Sequence, residues 1–209
     1  MIPITLKLIP TPSKRRSGQK ILGVSFICSH DTGNDGSTAA QNANYYVSSA
    51  NEIEASAHYF VDDKQIICCV PEEEKAWHVR YSEPKDNEIY GKEANDWAIG
   101  IELCFHSGNT KINNLIAYQN YVELHAYLCN KYHLDPLQFI VGHYVLDSAR
   151  RTDPLNAFKY MNKTWNQFIA DILAYMKPTV PPVSQNEALK AQIKQKMVEI
   201  NSLIDQIKG

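Results

Sequence analysis

The stretch Ile21-Leu22-Gly23-Val24-Ser25-Phe26-Ile27-Cys28-Ser29-His30, followed at once by Asp31-Thr32-Gly33-Asn34-Asp35-Gly36, decides the fold. It is too apolar for a strand with one wet face, whereas strands buried on both faces read as near-continuous apolar runs. The turn residues that follow place His30 at the C-terminal end of a central strand.

Upstream, residues 10–20 are polar and broken by proline and glycine, the composition of a surface loop. Downstream, Ser37 is positioned to cap a helix running to about Asn51. Ala57-His58-Tyr59-Phe60-Val61 and Gln65-Ile66-Ile67-Cys68-Cys69-Val70 then read as a hairpin around Asp62-Asp63-Lys64. Trp97 to Phe105 gives another strand, with Gly100, Glu102 and Cys104 on one face and Ile99, Ile101, Leu103 and Phe105 on the other. Leu115, Tyr118, Val122, His125, Leu128 and Tyr132 recur at helical spacing, and Gln138 to His143 forms a short apolar strand. Phe158, Met161, Trp165, Phe168 and Ile172 mark a further helix. The expected class is α/β: a central mixed β-sheet flanked by helices, with a short C-terminal helical appendage.

The 209 residues, 44% hydrophobic and 21% charged, suit one globular domain and a small addition. Pro-rich residues 177–184 divide a domain over 1–176 from a helix over 185–209. In that helix Leu189, Ile193, Ile200, Leu203 and Ile207 approximate a heptad seam interrupted by Lys196. Two readings stay open, a helix folded back on the domain and one that joins copies into a homo-oligomer. A net charge of −2 supplies no general attraction to nucleic acid or an anionic membrane, so neither is expected as a partner. No run of about 18 apolar residues occurs. Residues 1–12 lack the pattern of a signal peptide, so synthesis in the cytoplasm is expected. Five cysteines without C-x-x-C spacing are read as reduced, mostly buried thiols.

Hydrolytic zinc sites use three protein ligands and keep a fourth position open, and imidazole nitrogen and carboxylate oxygen both serve. His30 and His143 each end a buried strand, and Asp153 follows in a loop ten residues after His143. Around them lie five ordered blocks: Phe26 to Asn34; Ser56-Ala57-His58-Tyr59-Phe60-Val61-Asp62; Ala76-Trp77-His78; Asn95 with Ile99-Gly100-Ile101-Glu102-Leu103; and Ile140-Val141-Gly142-His143 with Arg151-Thr152-Asp153-Pro154. Together, over roughly Arg15 to Ile172, the chain resembles the type 2 N-acetylmuramoyl-L-alanine amidase family, whose relatives include peptidoglycan recognition proteins.

That resemblance implies Zn2+-dependent hydrolysis of the amide between N-acetylmuramic acid and L-alanine in bacterial peptidoglycan. It implies His30, His143 and Asp153 as zinc ligands and Glu102 as the acidic residue that handles the proton of the attacking water. Arg151 stands where many members have lysine, and the resemblance gives it the oxyanion of the reaction. Arg150 is the alternative at that position. His58 and His78 lie in blocks that border the groove, either as substrate contacts or as packing residues. His106, His125 and His133 are expected at loop or helix-surface positions.

Two further functions compete. A binding module of this fold would lack a ligand, but all three ligand positions carry competent residues. A cytoplasmic amidase recycling anhydromuropeptides would lack the linker and terminal helix, which suit wall attachment or self-association. The Arg15-Arg16-Ser17-Gly18-Gln19-Lys20 segment resembles phage and prophage amidases. The expectation is therefore an endolysin that reaches the wall through a holin pore.

Overall fold

The computed structural model describes residues 1–81 and 85–176, together with Lys190, Ile193, Lys194 and Lys196. The chain divides into two compact units at Met176 and Lys177. The expected linker and nearly all of the expected C-terminal helix lie outside the described residues.

The first unit contains strands β1 (Ile4–Leu6), β2 (Phe26–Asp31), β3 (Tyr59–Val61), β4 (Ile66–Cys68), β5 (Ala98–Leu103) and β6 (Ile140–Gly142). Its helices are α1 (Ala39–Ser48), α2 (Lys85–Tyr90), α3 (Ala94–Trp97), α4 (Asn114–Tyr132), α5 (Pro136–Phe139), α6 (His143–Leu146), α7 (Leu155–Tyr160) and α8 (Trp165–Met176). The strands form one mixed sheet in the order β1-β4-β3-β5-β2-β6, in which β3 and β4 pair antiparallel and every other pair is parallel. This is the expected mixed sheet flanked by helices.

All six residues of β2 are buried, as its apolar run requires. Ile27, with Ile99 and Ile101 of β5, joins the large core that contains α4 and α8. Phe26, Cys28, Ala98 and Val141 pack on the other face with Val79, Ala94 and Leu146. Register then sets the chemistry: His30 pairs with Glu102, and Ser29 pairs with Gly142, one residue before His143. Three parallel strands therefore deliver His30, Glu102 and His143 to the same C-terminal edge of the sheet, where open α/β sheets place their ligands.

Several boundaries depart from the sequence reading. The N-cap of α1 is Thr38, which forms a reciprocal capping box with Gln41, so the helix starts at Ala39, one residue later than a Ser37 cap would place it. The hairpin turn is held by the Asp62 carboxylate, which accepts from the N–H groups of Lys64 and Gln65. The single helix expected through Phe158 and Ile172 is two helices. Asn162 takes a left-handed conformation (φ 51°), and Thr164 accepts from Gln167 N–H to begin α8. Those stop and start signals override the continuous apolar period.

Candidate metal centre

His30 Nδ1, His143 Nδ1 and Asp153 Oδ2 form a triangle with sides of 3.0, 3.0 and 3.1 Å. Protons alone cannot satisfy it. With one Nδ1 protonated, the other nitrogen and the carboxylate oxygen oppose lone pairs; with both protonated, two N–H groups face each other. A cation at the centre satisfies all three edges. Four tetrahedral ligands about 2.05 Å from zinc would stand roughly 3.3 Å apart, close to the observed spacing. The residues present therefore fit a small divalent metal.

The environment favours the ligand forms. Burial first, then the neighbouring His143, push the His30 imidazole down to about 4, against the raising influence of Asp153. Burial alone would raise the Asp153 carboxyl, but hydrogen bonds with His143 and His30 outweigh it and hold the group below its ordinary range. Neutral imidazole and ionised carboxylate are the states that bind metal.

A second group of potential ligands, Cys28, His30 and His78, also includes His30. His30 Nε2 lies 3.1 Å from His78 Nδ1. One proton satisfies that edge, so it demands no cation. An N–H shared along this edge fixes the His30 tautomer whose free Nδ1 faces the triangle, the arrangement used to orient metal-binding imidazoles. The His78 loop is itself pinned, since the Asn95 side chain accepts from the N–H groups of both His78 and Val79.

The triangle opens into a polar cavity of about 330 Å³ whose walls include His78, Glu102 and Arg151. Glu102 Oε2 is buried with no hydrogen-bond partner among the described residues. Burial, followed by the charges of Asp153 and Asp31, raises its carboxyl well above the usual range, with Arg151 opposing. The two arginines part ways. Arg150 is paired through Nε and Nη2 with Asp147, whereas the half-exposed Arg151 reaches no closer than 4.0 Å to that carboxylate.

His58 does not reach the cavity. It is fully buried beneath it, accepting from Gly100 N–H at Nδ1 and donating to the Glu74 carbonyl from Nε2, so it is a packing residue. His125 is likewise no surface residue: it is fully buried, with Nε2 2.9 Å from Ser29 Oγ and Nδ1 2.8 Å from the Tyr121 carbonyl. Tyr121 continues this support by donating to the His30 carbonyl at 3.0 Å. His106 sits in a loop as expected, its Nδ1 accepting from Thr110 and Lys111. Asp31, read as a turn residue, ends β2 instead. It accepts from Ala157 N–H and so ties the start of α7, just after Asp153, to the strand carrying His30. None of the five cysteines forms a disulfide, and all are buried.

Residues 19–156 match the family model described as N-acetylmuramoyl-L-alanine amidase. The chain belongs to the N-acetylmuramoyl-L-alanine amidase family. The matched span of this amidase-family chain takes in His30, His143, Asp153 and Glu102. The chain is 32% identical over 152 residues to N-acetylmuramoyl-L-alanine amidase BlyA of Bacillus subtilis (strain 168), a match covering 69% of this chain and 40% of BlyA. The chain thus spans about 40% of the length of these curated relatives. Among solved structures, the catalytic domain of XlyA superposes with a TM-score of 0.66 at 24% identity, over 82% of this chain and 99% of that domain. A mutant endolysin from Bacillus subtilis gives 0.65 at 26% identity, with the same coverage.

Proposed function

We propose that this chain is the catalytic part of a zinc-dependent amidase that cleaves the bond between N-acetylmuramic acid and L-alanine in peptidoglycan, acting at the bacterial wall as a phage or prophage endolysin. The observation that carries the reading is the triangle of His30, His143 and Asp153, which protons cannot satisfy, beside the Glu102 Oε2 that has no hydrogen-bond partner among the described residues. The likeness to a Bacillus subtilis endolysin supports the setting. No helix among the described residues is long and apolar enough to cross a membrane.

Zinc held by His30, His143 and Asp153 would bring the pKa of water to about 7 and polarise the amide carbonyl. Glu102, paired in register with His30, takes the proton of the attacking water at Oε2 and passes it to the leaving nitrogen of L-alanine. Burial raises the proton affinity of this carboxyl. Arg151 directs its charge into the cavity and offsets the negative charge that develops on the amide oxygen. Arg150 remains engaged with Asp147. His78 keeps the His30 ring in its ligand orientation.

Chelation and reconstitution test this reading. Activity on purified walls should vanish in metal-stripped protein and return as zinc approaches one ion per chain. Full activity in protein that elemental analysis shows to be metal-free would refute it.

A further inference from the structure

Arg15 and Arg16 are neighbours in opposite circumstances. The Arg16 guanidinium is matched to Glu74 by hydrogen bonds of 2.8 and 2.9 Å, and it also donates to the Ile9 carbonyl. Arg15 is buried more deeply, with 1% of its surface exposed, and meets no carboxylate among the described residues. Its Nε donates to the carbonyl and hydroxyl of Ser49 and its Nη1 to the Ala55 carbonyl, while Nη2 has no hydrogen-bond partner among the described residues.

The Arg15 guanidinium carbon lies 4.5 Å from the centre of the Tyr46 ring and 5.0 Å from that of Tyr45. Rings stabilise the faces of the cation but do not accept from an N–H in its plane. A buried cation without a counter-charge and a buried donor without an acceptor both carry a free-energy cost. An anion supplied from outside removes both.

Arg15, Tyr45 and Tyr46 line a cavity of about 230 Å³. It shares Thr32, Tyr46, Ala55 and Glu102 with the cavity that holds the metal triangle. Building on the amidase reading, we infer that this side cavity is a substrate subsite in which Arg15 receives the carboxylate nearest the scissile bond, the free α-carboxylate of the second residue of the peptide stem. A guanidinium matches a carboxylate in both charge and geometry, whereas the corresponding carboxamide offers no charge. Nη2 is out of contact with water, so the incoming anion meets a donor that has no hydration to lose. Tyr45, more than half exposed, is the ring over the guanidinium with room to turn aside.

The test uses two forms of the stem peptide released from the wall, identical except for an α-carboxylate or an α-carboxamide on the second residue. Calorimetry on the full chain should show the carboxylate form binding about tenfold tighter or better, the scale of one charge-assisted hydrogen bond. Arg15→Gln should bring the ratio near one, and Arg15→Lys should keep part of it. Equal binding of both peptides to the wild-type chain overturns the subsite, and so does a ratio that survives in folded Arg15→Gln. If Arg15→Gln does not fold, the wild-type ratio and Arg15→Lys decide. Wall hydrolysis is followed in parallel. Discrimination without cleavage contradicts the amidase reading alone, and cleavage without discrimination overturns the subsite alone.

Discussion

Gly100→Ala is a one-carbon change that should weaken the proposed metal site without touching it. Gly100 lies on β5 directly against the His78 ring, and a Cβ there would stand 2.5 Å from His78 Cγ and 2.9 Å from both Cδ2 and Nδ1. Carbon contacts settle near 3.5–4.0 Å, so the ring has to retreat by about 1 Å. Neither partner yields easily. Asn95 grips the His78 backbone, and Gly100 exchanges hydrogen bonds with His58, donating to its Nδ1 and accepting from its N–H. Overpacking of this kind typically costs about 1–3 kcal/mol, and loss of a ligand's outer partner typically weakens metal binding by about 10–100-fold. Urea unfolding of the metal-free protein should report the first effect, and competition with a chromophoric chelator the second. Gly91→Ala is the control: nothing lies within 4 Å of its Cβ, but its φ of +63° predicts a loss of about 1–2 kcal/mol with zinc affinity unchanged. Wild-type stability and wild-type zinc affinity in Gly100→Ala would refute the proposed link from β5 through His78 to His30.

Asp153→Ala should lose both zinc and activity, whereas Arg151→Ala should keep its zinc and lose about 10²- to 10³-fold in turnover; elemental analysis and initial rates separate the two. His58→Ala should cost about 1–3 kcal/mol in urea unfolding for each buried backbone group it strands, at Gly100 and Glu74, while KM in the folded fraction stays unchanged. The hydrogen bond from Arg16, and then its charge, hold Glu74 below the ordinary glutamate value of 4.5 despite burial. A depressed carboxyl contributes stability that is fully present above 4.5 and is lost as pH falls through its lowered value. Glu74→Gln should therefore unfold more easily at neutral pH and lack this acid-dependent part in a pH series of urea melts. A chain ending at Met176 should melt as cooperatively as the full chain and bind zinc equally well, because the division between compact units falls there.

The parts legible in the sequence are those governed by local pattern. The apolar run ending in His30 specified a buried central strand, and alternation along Ile99 to Leu103 put Gly100 and Glu102 on one face. What alternation cannot supply is register, and only the pairing of His30 with Glu102 and of Ser29 with Gly142 turns three separate strands into one site. Burial of His58 and His125 was illegible for a related reason. Each imidazole is satisfied by partners far along the chain, His58 by Gly100 and Glu74, His125 by Ser29, and no short window reveals them. The break between α7 and α8 was signalled by Asn162 and by Thr164 with Gln167, but the apolar spacing runs straight across it. Strand β1 spans three residues, and its pairing with β4 crosses some sixty positions.

The bond that is cut separates an amidase from a glycosidase. Purified walls are incubated with the zinc-loaded chain, and new amino termini and new reducing ends are counted in the same digest. The amidase assignment requires L-alanine amino termini to appear with time while reducing ends stay at background, and both signals to stay flat for Glu102→Gln. Reducing ends in place of L-alanine termini, or L-alanine release undiminished in Glu102→Gln, would contradict it.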